Sequence, residues 1–567
     1  MIFGFIVFIT ILLVYSPWFS FSGTLSSGDW PFLYVENIKE FSFLPQAQFL
    51  WLAPYYQIPA KIFVQYLNLP WELFERMFWF WPFIGISIAS SYYLTRSWIG
   101  VLIYTTNTYI LMIVAGGQMG IAMAYAISPF VLRKFIDFVD SLLNVILSEQ
   151  ERPKNLMRFF AFAQDDNVKR AILIGLVLSV LTMFDPRVAY IIVIAVAIYG
   201  LLNIKFLHSV FHVLYSVFFI PILIAAILNS YWIVPLFRKG ADLVIENFDS
   251  SLGFEYFSFA DFSHAFSLLH PNWPENIFGK TYFLQPEFLI LPVIAYISLL
   301  FIKNSKQIQN SKLQNKNNLT MRQLSNGTIL FFALLGIVGA FLAKGANPPF
   351  GEVNLWLFEN FPGMSMFRDP TKFYILVVLS YSILVPFSIV SLSKWVNSKF
   401  KIQNYLPNLF LLFTILYLIF LIRPAIFGQL SGTFKSHTVP QEYIELKNFI
   451  KAQNESFGIL WIPEKHRYGF YSGYNPFVSA REFMDIHDPV KLAIELRNRN
   501  ENQWNTRLLD MNIRYIIVPY DSQEELFIED RLTSEKAREQ VEKELDGIEW
   551  LFGKKTFGRI TMYELKH

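Results

Sequence analysis

Long apolar runs recur from the first residue to about residue 427, and they restrict the fold of this chain more than any other feature. Several of them approach the roughly 20 residues that a helix needs to cross a bilayer. Of the 567 residues 54% are hydrophobic and 16% are charged, whereas a soluble globular protein has about 25% charged residues. Because a backbone in hydrocarbon must satisfy its own hydrogen bonds, these runs predict helices. The sequence therefore indicates a mainly α, polytopic helical membrane protein.

About eleven transmembrane helices are predicted from these runs. In chain order they cover about residues 1–22, 73–94, 98–115, 120–132, 171–184, 188–202, 211–236, 288–302, 328–343, 373–392 and 408–427. The first run has no Lys or Arg before its apolar core, which favours an uncleaved span; cleavage near residues 20–23 is the alternative. A charged helical stretch is predicted between the fourth and fifth spans, and the Asn-, Gln- and Lys-rich segment 303–326 is typical of a disordered loop.

Basic residues fix the orientation of the predicted spans. With a cytoplasmic N-terminus, most Lys and Arg of the predicted transmembrane domain lie in the inner loops, namely at Arg96, 133–170, Lys205, 303–326 and 394–401. The short outer loops are poorer in Lys and Arg. This orientation predicts a first outer loop at 23–72 and a long outer loop at 238–285. It also places everything after about residue 435 outside the cytoplasm.

The character of the chain changes near residue 435. An amphipathic helix is predicted at 442–451 and a charged helix at 532–545, and short strand-like runs occur at 457–462, 514–518 and 560–565. About 130 residues is an ordinary size for one domain. We therefore expect a transmembrane domain, 1–430, followed by a small soluble extracytoplasmic α/β domain, 435–567.

The segment 26–32 follows the first predicted span directly and carries Asp29. A carboxylate at this position lies at the boundary between lipid and water, where it can meet both a lipid headgroup and a soluble molecule. An ionisable group so near the hydrocarbon is costly, which indicates a task for it. The alternative is a solvated loop aspartate beside the turn residue Gly28.

Two other charged segments are predicted on the same outer side. Asp185 and Arg187 flank a proline between two apolar runs, and the segment 367–372 carries Arg368, Asp369 and Lys372. The Arg and Lys side chains are suited to binding a phosphate, the first as a fork and the second as a point charge. The alternatives are a hinge with a helix-capping aspartate and interfacial snorkelling of the basic side chains.

Several kinds of chemistry are excluded or not expected. The chain has no cysteine, which excludes disulfides, thiolate catalysis and cysteine zinc sites. The spacing of His264, His270 and Glu255 matches no metal motif, and no Walker A, GxSxG, HExxH or GxGxxG pattern occurs in a suitable context. The net charge of +3 does not indicate nucleic acid. An outer-facing enzyme without ATP needs a pre-activated substrate, and a lipid-linked phosphosugar is one.

Several short motifs carry a resemblance to known membrane enzymes. Gly28-Asp29, followed by an interfacial aromatic loop, resembles the acidic first outer loop of GT-C superfamily glycosyltransferases. The segments 69–76, 117–118 and 124–129 are similar to the membrane region of actinobacterial arabinofuranosyltransferases. The segments 367–373 and 508–518 resemble YfhO-type bacterial membrane proteins. The chain departs from the GT-C pattern in having Asp29 alone, and no Asp-Asp or Glu-Asp pair, at this place in its first outer loop.

The resemblance implies an integral membrane glycosyltransferase of the plasma membrane. It would transfer a sugar from a polyprenyl-phosphate-linked donor in the lipid bilayer to a glycan, lipid or protein acceptor on the outer face. Asp29 would be the general base of an inverting displacement. The donor phosphate would be held by Arg368, Lys372 and Arg187, with Asp185 and Asp369 in support. No metal site is assigned and no cofactor is certain; a divalent metal stays an open alternative.

Two other functions stay open at this point. A lipid-linked oligosaccharide transporter or flippase would need polar residues along several spans, whereas the predicted spans are nearly free of charge. A scaffold that binds glycan or lipid without catalysis is the second alternative.

Overall fold

The computed structural model describes residues 2–41, 50–150, 156–203, 218–238, 251–270, 285–304, 326–400, 406–498, 502–520 and 534–566. Most of the predicted disordered loop 303–326 lies outside these ranges, as do Lys205, Lys401 and parts of the long outer loop 238–285. The predictions for those residues therefore stay predictions.

Helices make up nearly all of the described chain before residue 430. The α-helices are Ile2–Val14, Val35–Lys39, Ala53–Ala60, Trp71–Glu75, Trp81–Thr95, Trp98–Thr106, Thr108–Ala115, Met119–Gln150, Leu156–Phe184, Pro186–Asn203, Ile220–Leu228, Ser230–Arg238, Ser251–Tyr256, Phe262–Phe266, Ile290–Tyr296, Asn326–Ala343, Gly351–Asn360, Tyr374–Phe400, Leu406–Leu421 and Arg423–Ile426. Short 3-10 segments are Ser16–Phe19, Leu50–Leu52, Pro286–Leu289, Ile297–Asn304, Met364–Phe367 and Pro370–Phe373, and π-helical turns are Lys61–Tyr66 and Arg76–Phe80.

Three of the described helices are long and apolar enough to cross a membrane, namely Met119–Ser141, Asn326–Ala343 and Pro370–Lys399. A fourth candidate is the pair Trp98–Thr106 and Thr108–Ala115, which is bent by 40°. Shorter apolar helices are Ile2–Val14, Pro186–Leu202, Pro286–Ile302 and Pro407–Leu421. The mainly helical architecture with helices of membrane length is thus confirmed. The total of eleven spans stays a prediction.

The predicted length of the first span, 1–22, is wrong. Helix Ile2–Val14 has 13 residues, which rise by about 20 Å, less than the roughly 30 Å of a bilayer core. A 3-10 turn, Ser16–Phe19, follows and contains Pro17. Proline has no N–H to donate and its ring clashes with the preceding turn, which disfavours continuation of the α-helix past Val14. The chain therefore turns towards the Asp29 segment earlier than predicted.

Two predicted boundaries between apolar and charged segments are also absent. The predicted span 120–132 and the charged residues after it form one helix, Met119–Gln150, of 32 residues. Likewise the predicted span 171–184 is the second half of Leu156–Phe184. Between residues 121 and 150 there is no glycine and Pro129 is the only proline, so no strong helix breaker follows Pro129. A change from apolar to charged composition alters what a helix faces, but it does not end the helix.

The predicted span 98–115 is broken at Asn107. The Asn107 Oδ1 accepts a hydrogen bond from the Ile110 amide at 3.1 Å and so caps the second helix. Its Nδ2 donates to the Ile103 carbonyl at 2.9 Å and to the Tyr125 hydroxyl at 3.0 Å. The side chain therefore satisfies backbone groups of both halves. The second half, Thr108–Ala115, leads straight to Gly116 and the Asp29 segment.

The C-terminal part folds around a five-stranded sheet with strand order β2-β1-β3-β5-β4. The strands are β1 Gly458–Trp461, β2 Phe477–Ser479, β3 Ile513–Val518, β4 Leu551–Phe557 and β5 Ile560–Leu565. Strand β1 is parallel to β2 and β3, whereas β5 is antiparallel to β3 and β4. The helices are Gln441–Ala452, Ala480–Met484, Pro489–Asn498, Asn502–Asp510 and Glu535–Asp546. This confirms the predicted α/β class and its three strand-like runs.

Both faces of this sheet are covered. Side chains alternate along β3, so Ile516 and Val518 join one apolar cluster while Tyr515 and Ile517 join the other. The second cluster includes Tyr34, which belongs to the predicted first outer loop, 23–72, rather than to the C-terminal part. The domain therefore completes part of its core with a residue from the loop that carries Asp29.

Polar contacts fasten the same two parts of the chain. Thr24 and His437 form an antiparallel bridge, with hydrogen bonds of 2.8 and 2.7 Å in the two directions. The Tyr34 hydroxyl donates to the Tyr468 carbonyl at 2.9 Å. Glu36 forms ion pairs with Lys447 at 3.3 Å and Lys451 at 2.6 Å. The C-terminal domain and the first outer loop thus form a continuous contact.

Candidate functional site

Asp29 lies on a tight turn whose shape depends on two glycines. The turn is closed by a hydrogen bond of 3.0 Å from the Trp30 amide to the Ser27 carbonyl, and Gly28 has a φ of +56°. The Asp29 amide donates to the Gly116 carbonyl at 2.9 Å. A Cβ on Gly117 would lie 2.4 Å from the Ser27 oxygen and the Trp30 nitrogen. Gly117 therefore allows the end of helix Thr108–Ala115 to pack directly against the turn.

The Asp29 carboxylate is open to solvent although protein surrounds it. The Gln118 side-chain amide donates to its Oδ2 at 2.9 Å. Partial burial raises the pKa of Asp29, while the Gln118 hydrogen bond and the charges of Lys372, Arg467 and Arg187 oppose that rise; burial prevails. A general base works best with a pKa near the working pH, so this shift suits proton abstraction.

Asp185 and Arg187 form one of the ion pairs near Asp29. The Arg187 guanidinium donates to the Asp185 carboxylate from Nη2 at 2.6 Å and from Nε at 3.1 Å. Asp185 also accepts the backbone amides of Arg187 and Val188, at 2.8 and 3.2 Å. It therefore caps helix Pro186–Asn203, as the capping alternative predicts. Burial alone would raise the pKa of Asp185, but the Arg187 charge outweighs it and leaves the pKa below its usual value.

Asp369 and Lys372 form the second ion pair. The Lys372 Nζ lies 2.8 Å from the Asp369 Oδ2, and their side chains are 4% and 11% exposed. The Asp369 Oδ1 accepts from the Thr371 amide and hydroxyl at 3.0 and 2.5 Å. Burial would raise the pKa of Asp369, but the Lys372 charge and these hydrogen bonds hold it below its usual value.

The two pairs and Asp29 share one electrostatic environment. The charges of Arg187 and Asp185 act on the Lys372 ammonium, and the charge of Asp369 acts on the Arg187 guanidinium. Lys372 and Arg187 both act on Asp29. The structure therefore brings together five of the residues predicted from the sequence: Asp29, Asp185, Arg187, Asp369 and Lys372.

Arg368 points to a different neighbour. Its guanidinium carbon lies 4.5 Å from the centre of the Phe257 ring, in the geometry of a cation–π contact. The side chain is half-buried. Arg368 thus occupies the contact between the 367–372 segment and the long outer loop, beside its neighbour Lys372 but with a different partner.

The sequence analysis assigns no role to Glu75, whose side chain forms hydrogen bonds to the chain on both sides of the Asp29 turn. Its buried carboxylate accepts hydrogen bonds from the Leu25 amide at 2.7 Å and the Trp30 indole at 2.9 Å, one on each side of the turn. Arg76 pairs with it at 2.9 Å, and both side chains are fully buried. A Glu-Arg pair at the start of the predicted span 73–94 is the sequence feature that could have indicated this role, because ionisable residues within a span usually have a function.

Tyr109 is a second residue that the sequence did not single out. It is fully buried, and its ring stacks on the Tyr374 ring with 5.5 Å between the ring centres. The charges of Asp369, Asp185 and Arg187 act on its hydroxyl. Within the described part of the chain the hydroxyl has no hydrogen-bond partner. It is thus a buried polar group without a hydrogen-bond partner among the described residues, close to the charges of the two ion pairs.

The His and Glu residues considered for a metal lie in separate surroundings. His264 sits beside Asp261 at the start of helix Phe262–Phe266, at 3.7 Å. His270 packs against both the Tyr109 and the Tyr374 ring, and burial lowers its pKa to about 4. Glu255 is exposed. Among the residues that the structure covers, no group of three or more His, Asp or Glu side chains is arranged to hold a metal.

A comparison with solved structures relates this architecture to a known enzyme. The chain aligns over 100% of its length with the cryo-EM structure of arabinofuranosyltransferase AftD from Mycobacteria, a GT-C enzyme, with a TM-score of 0.52 and 12% sequence identity. The two proteins share a fold. The alignment covers 40% of the AftD chain, so this chain spans less than half the length of that enzyme. No protein-family model and no curated protein matches the sequence.

The fold comparison confirms the resemblance to arabinofuranosyltransferases that the short motifs predicted. Two of the three motifs lie at the site: Glu75, which is paired with Arg76, accepts hydrogen bonds from both sides of the turn, and Gly117 and Gln118 contact it directly. At 12% identity the likeness concerns the fold alone. What the site does must be argued from its own residues.

Proposed function

We propose that this protein is an integral membrane glycosyltransferase that transfers a sugar from a polyprenyl-phosphate donor to an acceptor hydroxyl on the outer face of the plasma membrane. The observation that carries the proposal is the position of Asp29. Its carboxylate is held on a rigid turn, is open to solvent, and shares an electrostatic environment with Lys372 and Arg187. A base and a pair of cations in one place are what an inverting transfer from a phosphate-linked donor needs.

The reaction would proceed as a single displacement. The acceptor hydroxyl oxygen attacks the anomeric carbon while its proton passes to the Asp29 carboxylate. The bond between the anomeric carbon and the phosphate oxygen breaks, and both of its electrons leave with polyprenyl phosphate. Inversion follows because attack and departure occur on opposite faces of the sugar. Asp29 then returns its proton to water through its solvent-exposed side.

Lys372 and Arg187 would neutralise the charge that grows on the leaving phosphate. Each is already paired with a carboxylate, Asp369 or Asp185, which fixes its position before the donor arrives. Such preorganised charges stabilise the transition state without reorganising during the reaction. The Tyr109 hydroxyl would be a further hydrogen-bond donor close to these charges. Arg368, which rests on Phe257, is proposed as an outer contact for the phosphate.

The donor class follows from the same features. The sequence holds no nucleotide-binding motif in a suitable context, and the site is proposed to face away from the cytoplasm, so a membrane-borne activated sugar is the donor that fits. The AftD name specifies arabinofuranosyl transfer, and a pentofuranosyl donor is therefore the first to test. Glycan, lipid and protein acceptors all stay open, as does a requirement for a divalent metal.

A transporter fits the buried charges less well. Glu75 and Arg76 are ionisable groups inside a helical segment, which transport along the spans would require. Their hydrogen bonds, however, go to each other, to the Asp29 turn and to the backbone of Glu72. The pair therefore supports a site rather than lining a path.

The proposal is tested with the purified wild-type protein in nanodiscs. Polyprenyl-phosphate sugars, beginning with a pentofuranosyl donor, are supplied with a panel of glycan and lipid acceptors, with and without Mg²⁺. We expect release of polyprenyl phosphate in equal amount to a glycosidic product of inverted anomeric configuration, read by NMR. Movement of intact donor between leaflets without release would support the flippase instead. Binding with neither outcome would support the scaffold.

A further inference from the structure

Arg467 reaches the Asp29 turn from the C-terminal domain. It lies between strands β1 and β2, more than 400 positions along the chain from the turn. Its Nη1 donates to the Trp30 carbonyl at 2.7 Å and to the Ser26 hydroxyl at 3.2 Å. Its Nη2 donates to the Gly28 carbonyl at 2.9 Å. The two carbonyls flank Asp29 in the sequence, so one guanidinium holds the backbone on both sides of the carboxylate.

The segment that carries Arg467 is itself anchored on both sides. The preceding His466 is buried and stacks on the Tyr443 ring at 4.6 Å, with an interplanar angle of 16°. The following residue, Tyr468, donates its amide to the His466 Nδ1 at 3.2 Å, and its carbonyl accepts the Tyr34 hydroxyl. The guanidinium is therefore presented from a fixed backbone rather than from a loose loop.

A guanidinium suits these contacts better than an ammonium would. Its planar fork reaches two acceptors at once, whereas a lysine offers a single point of charge on a flexible stem. Arg467 also adds a positive charge near the Asp29 carboxylate. The groups known to act on that carboxylate come from different elements: Gln118 after helix Thr108–Ala115, Arg187 in Pro186–Asn203, Lys372 in Pro370–Phe373, and Arg467.

Other contacts hold the C-terminal domain to the first outer loop without touching the turn. Lys451 pairs with Glu36 at 2.6 Å, and the Asn37 side-chain Nδ2 donates to the Tyr471 carbonyl at 2.7 Å. These contacts, with the bridge between Thr24 and His437, hold the domain against the loop without Arg467. The contacts of Arg467 with the Gly28 and Trp30 carbonyls add a function beyond docking, because they fix the local geometry of the turn.

We propose that Arg467 is a positioning residue of the transferase site, through which the C-terminal domain holds the 26–30 turn and its Asp29 carboxylate in place for sugar transfer. The inference rests on the proposed function and extends it. It makes the C-terminal domain an integral part of the active site rather than an appended module. Sugar transfer and the ordering of the turn then both depend on contact between the two domains.

The test compares Arg467→Met, Arg467→Lys and Lys451→Met in the full-length protein. The last variant is the matched control, since it removes a cation from the same interface without touching the turn. Catalytic geometry is sensitive, and a displacement of about 1 Å can cost about 10²-fold in rate. We expect Arg467→Met to lower kcat by about 10- to 100-fold and Arg467→Lys to lower it less. The control should stay within about twofold of wild type.

The pH profile separates positioning from general support of the fold. The Arg467 charge lowers the pKa of Asp29, so its removal raises that pKa further. The acid limb of kcat/KM should therefore move to higher pH in Arg467→Met and stay near wild type in Arg467→Lys, which keeps the charge. Unchanged kcat and an unchanged acid limb in both variants would overturn the proposal. If Arg467→Met does not fold, the kcat of Arg467→Lys decides.

A measurement without substrate distinguishes failure of this inference from failure of the proposed function. Hydrogen–deuterium exchange is followed at the backbone amides of residues 24–30 and across strands β1–β5. We expect faster exchange at the turn in both Arg467 variants, while the sheet and the control variant are unchanged. If the wild type transfers no sugar but this result holds, the transferase is excluded and the positioning of the turn is supported. Unchanged exchange at the turn contradicts the positioning itself.

Discussion

At the scale of single residues, the carboxylates and cations of the site hold one another in place. Asp185 fixes Arg187, Asp369 fixes Lys372, and Glu75 fixes the backbone on either side of Asp29. Asp29 differs from the other three carboxylates because it is open to solvent and has no ion pair of its own within the described residues. It is therefore the carboxylate that is available to a substrate proton.

Arg368 gives a clean test of phosphate binding. Its guanidinium lies against the Phe257 ring, and such a cation–π contact contributes about 0.5–1 kcal/mol at a partly exposed site. Arg368→Ala loses that contribution to stability. If Arg368 binds the donor phosphate, donor affinity should fall by about 2 kcal/mol or more, since charged contacts in a desolvated site cost about 2–5 kcal/mol when broken. Titration of a non-hydrolysable donor analogue, with melting temperature as the control, measures both. Unchanged donor affinity would mean that Lys372 and Arg187, and not Arg368, bind the donor phosphate.

The sequence predicts the charged residues of this site better than the residues that hold them in place. Asp29, Asp185, Arg187, Asp369 and Lys372 were grouped because basic loops place them on one side of the membrane. Arg467 could not be grouped with them, since nothing local in residues 461–477 shows that they meet a turn more than 400 positions earlier. Gln118 and Glu75 were visible only as parts of short motifs, without a stated contact.

At the scale of elements, the end of helix Thr108–Ala115 decides whether the turn can form. Gly117 has a φ of +76°, and an added Cβ would lie 2.4 Å from the Ser27 oxygen and the Trp30 nitrogen. The hydropathy pattern predicted one straight span at 98–115, because a hydropathy window does not detect a capping residue such as Asn107. The break at Asn107 is what directs this helix towards Asp29.

Gly117→Ala should disrupt the site more than it disrupts the fold. The left-handed conformation costs a non-glycine residue about 1–2 kcal/mol, and forcing a methyl group into a packed contact costs about 1–3 kcal/mol more. We expect a lower melting temperature and a marked loss of transfer. Gly85→Ala is the matched control, because that glycine lies within helix Trp81–Thr95 and an added Cβ meets nothing within 4 Å. Equal melting temperatures and rates for the two variants would show that the close approach is unimportant.

At the scale of the whole molecule, the orientation of the chain decides which side of the membrane the site faces. The scattered motifs predicted the fold shared with AftD, whereas the total of eleven spans stays a prediction. Three to four described helices meet the length and composition of a span, and several others are short or broken. Apolar helices that pack against one another inside the protein resemble spans in a hydropathy window, so hydropathy alone does not decide which of them cross the membrane.

The predicted orientation is tested by reporter fusions in the two regions that matter most. A fusion after Asn310 should report the cytoplasm, and one after Lys435 should report the outer side, because basic residues concentrate in the loops assigned to the inside. A fusion after the final residue controls for the C-terminal domain itself and should agree with the one after Lys435. Finding the Asn310 and Lys435 fusions on the same side would remove the basis for an outer-facing site.

The central claim is that the Asp29 carboxylate accepts the proton of the acceptor hydroxyl. Asp29→Asn keeps the size of the side chain and an oxygen for the Gln118 amide, but it cannot take that proton. Because Asp29 is exposed, stability should change by no more than about 0.5 kcal/mol. Asp137→Asn serves as the control, since Asp137 is exposed and pairs with Arg133 on the long helix Met119–Gln150.

The decisive measurement is the initial rate of sugar transfer from a polyprenyl-phosphate donor by wild type, Asp29→Asn and Asp137→Asn in nanodiscs. Loss of a general base lowers a rate by about 10²–10⁴-fold. We therefore expect that loss in Asp29→Asn, with an unchanged melting temperature and with Asp137→Asn equal to wild type. Transfer by Asp29→Asn at a rate close to that of the wild type would contradict the account.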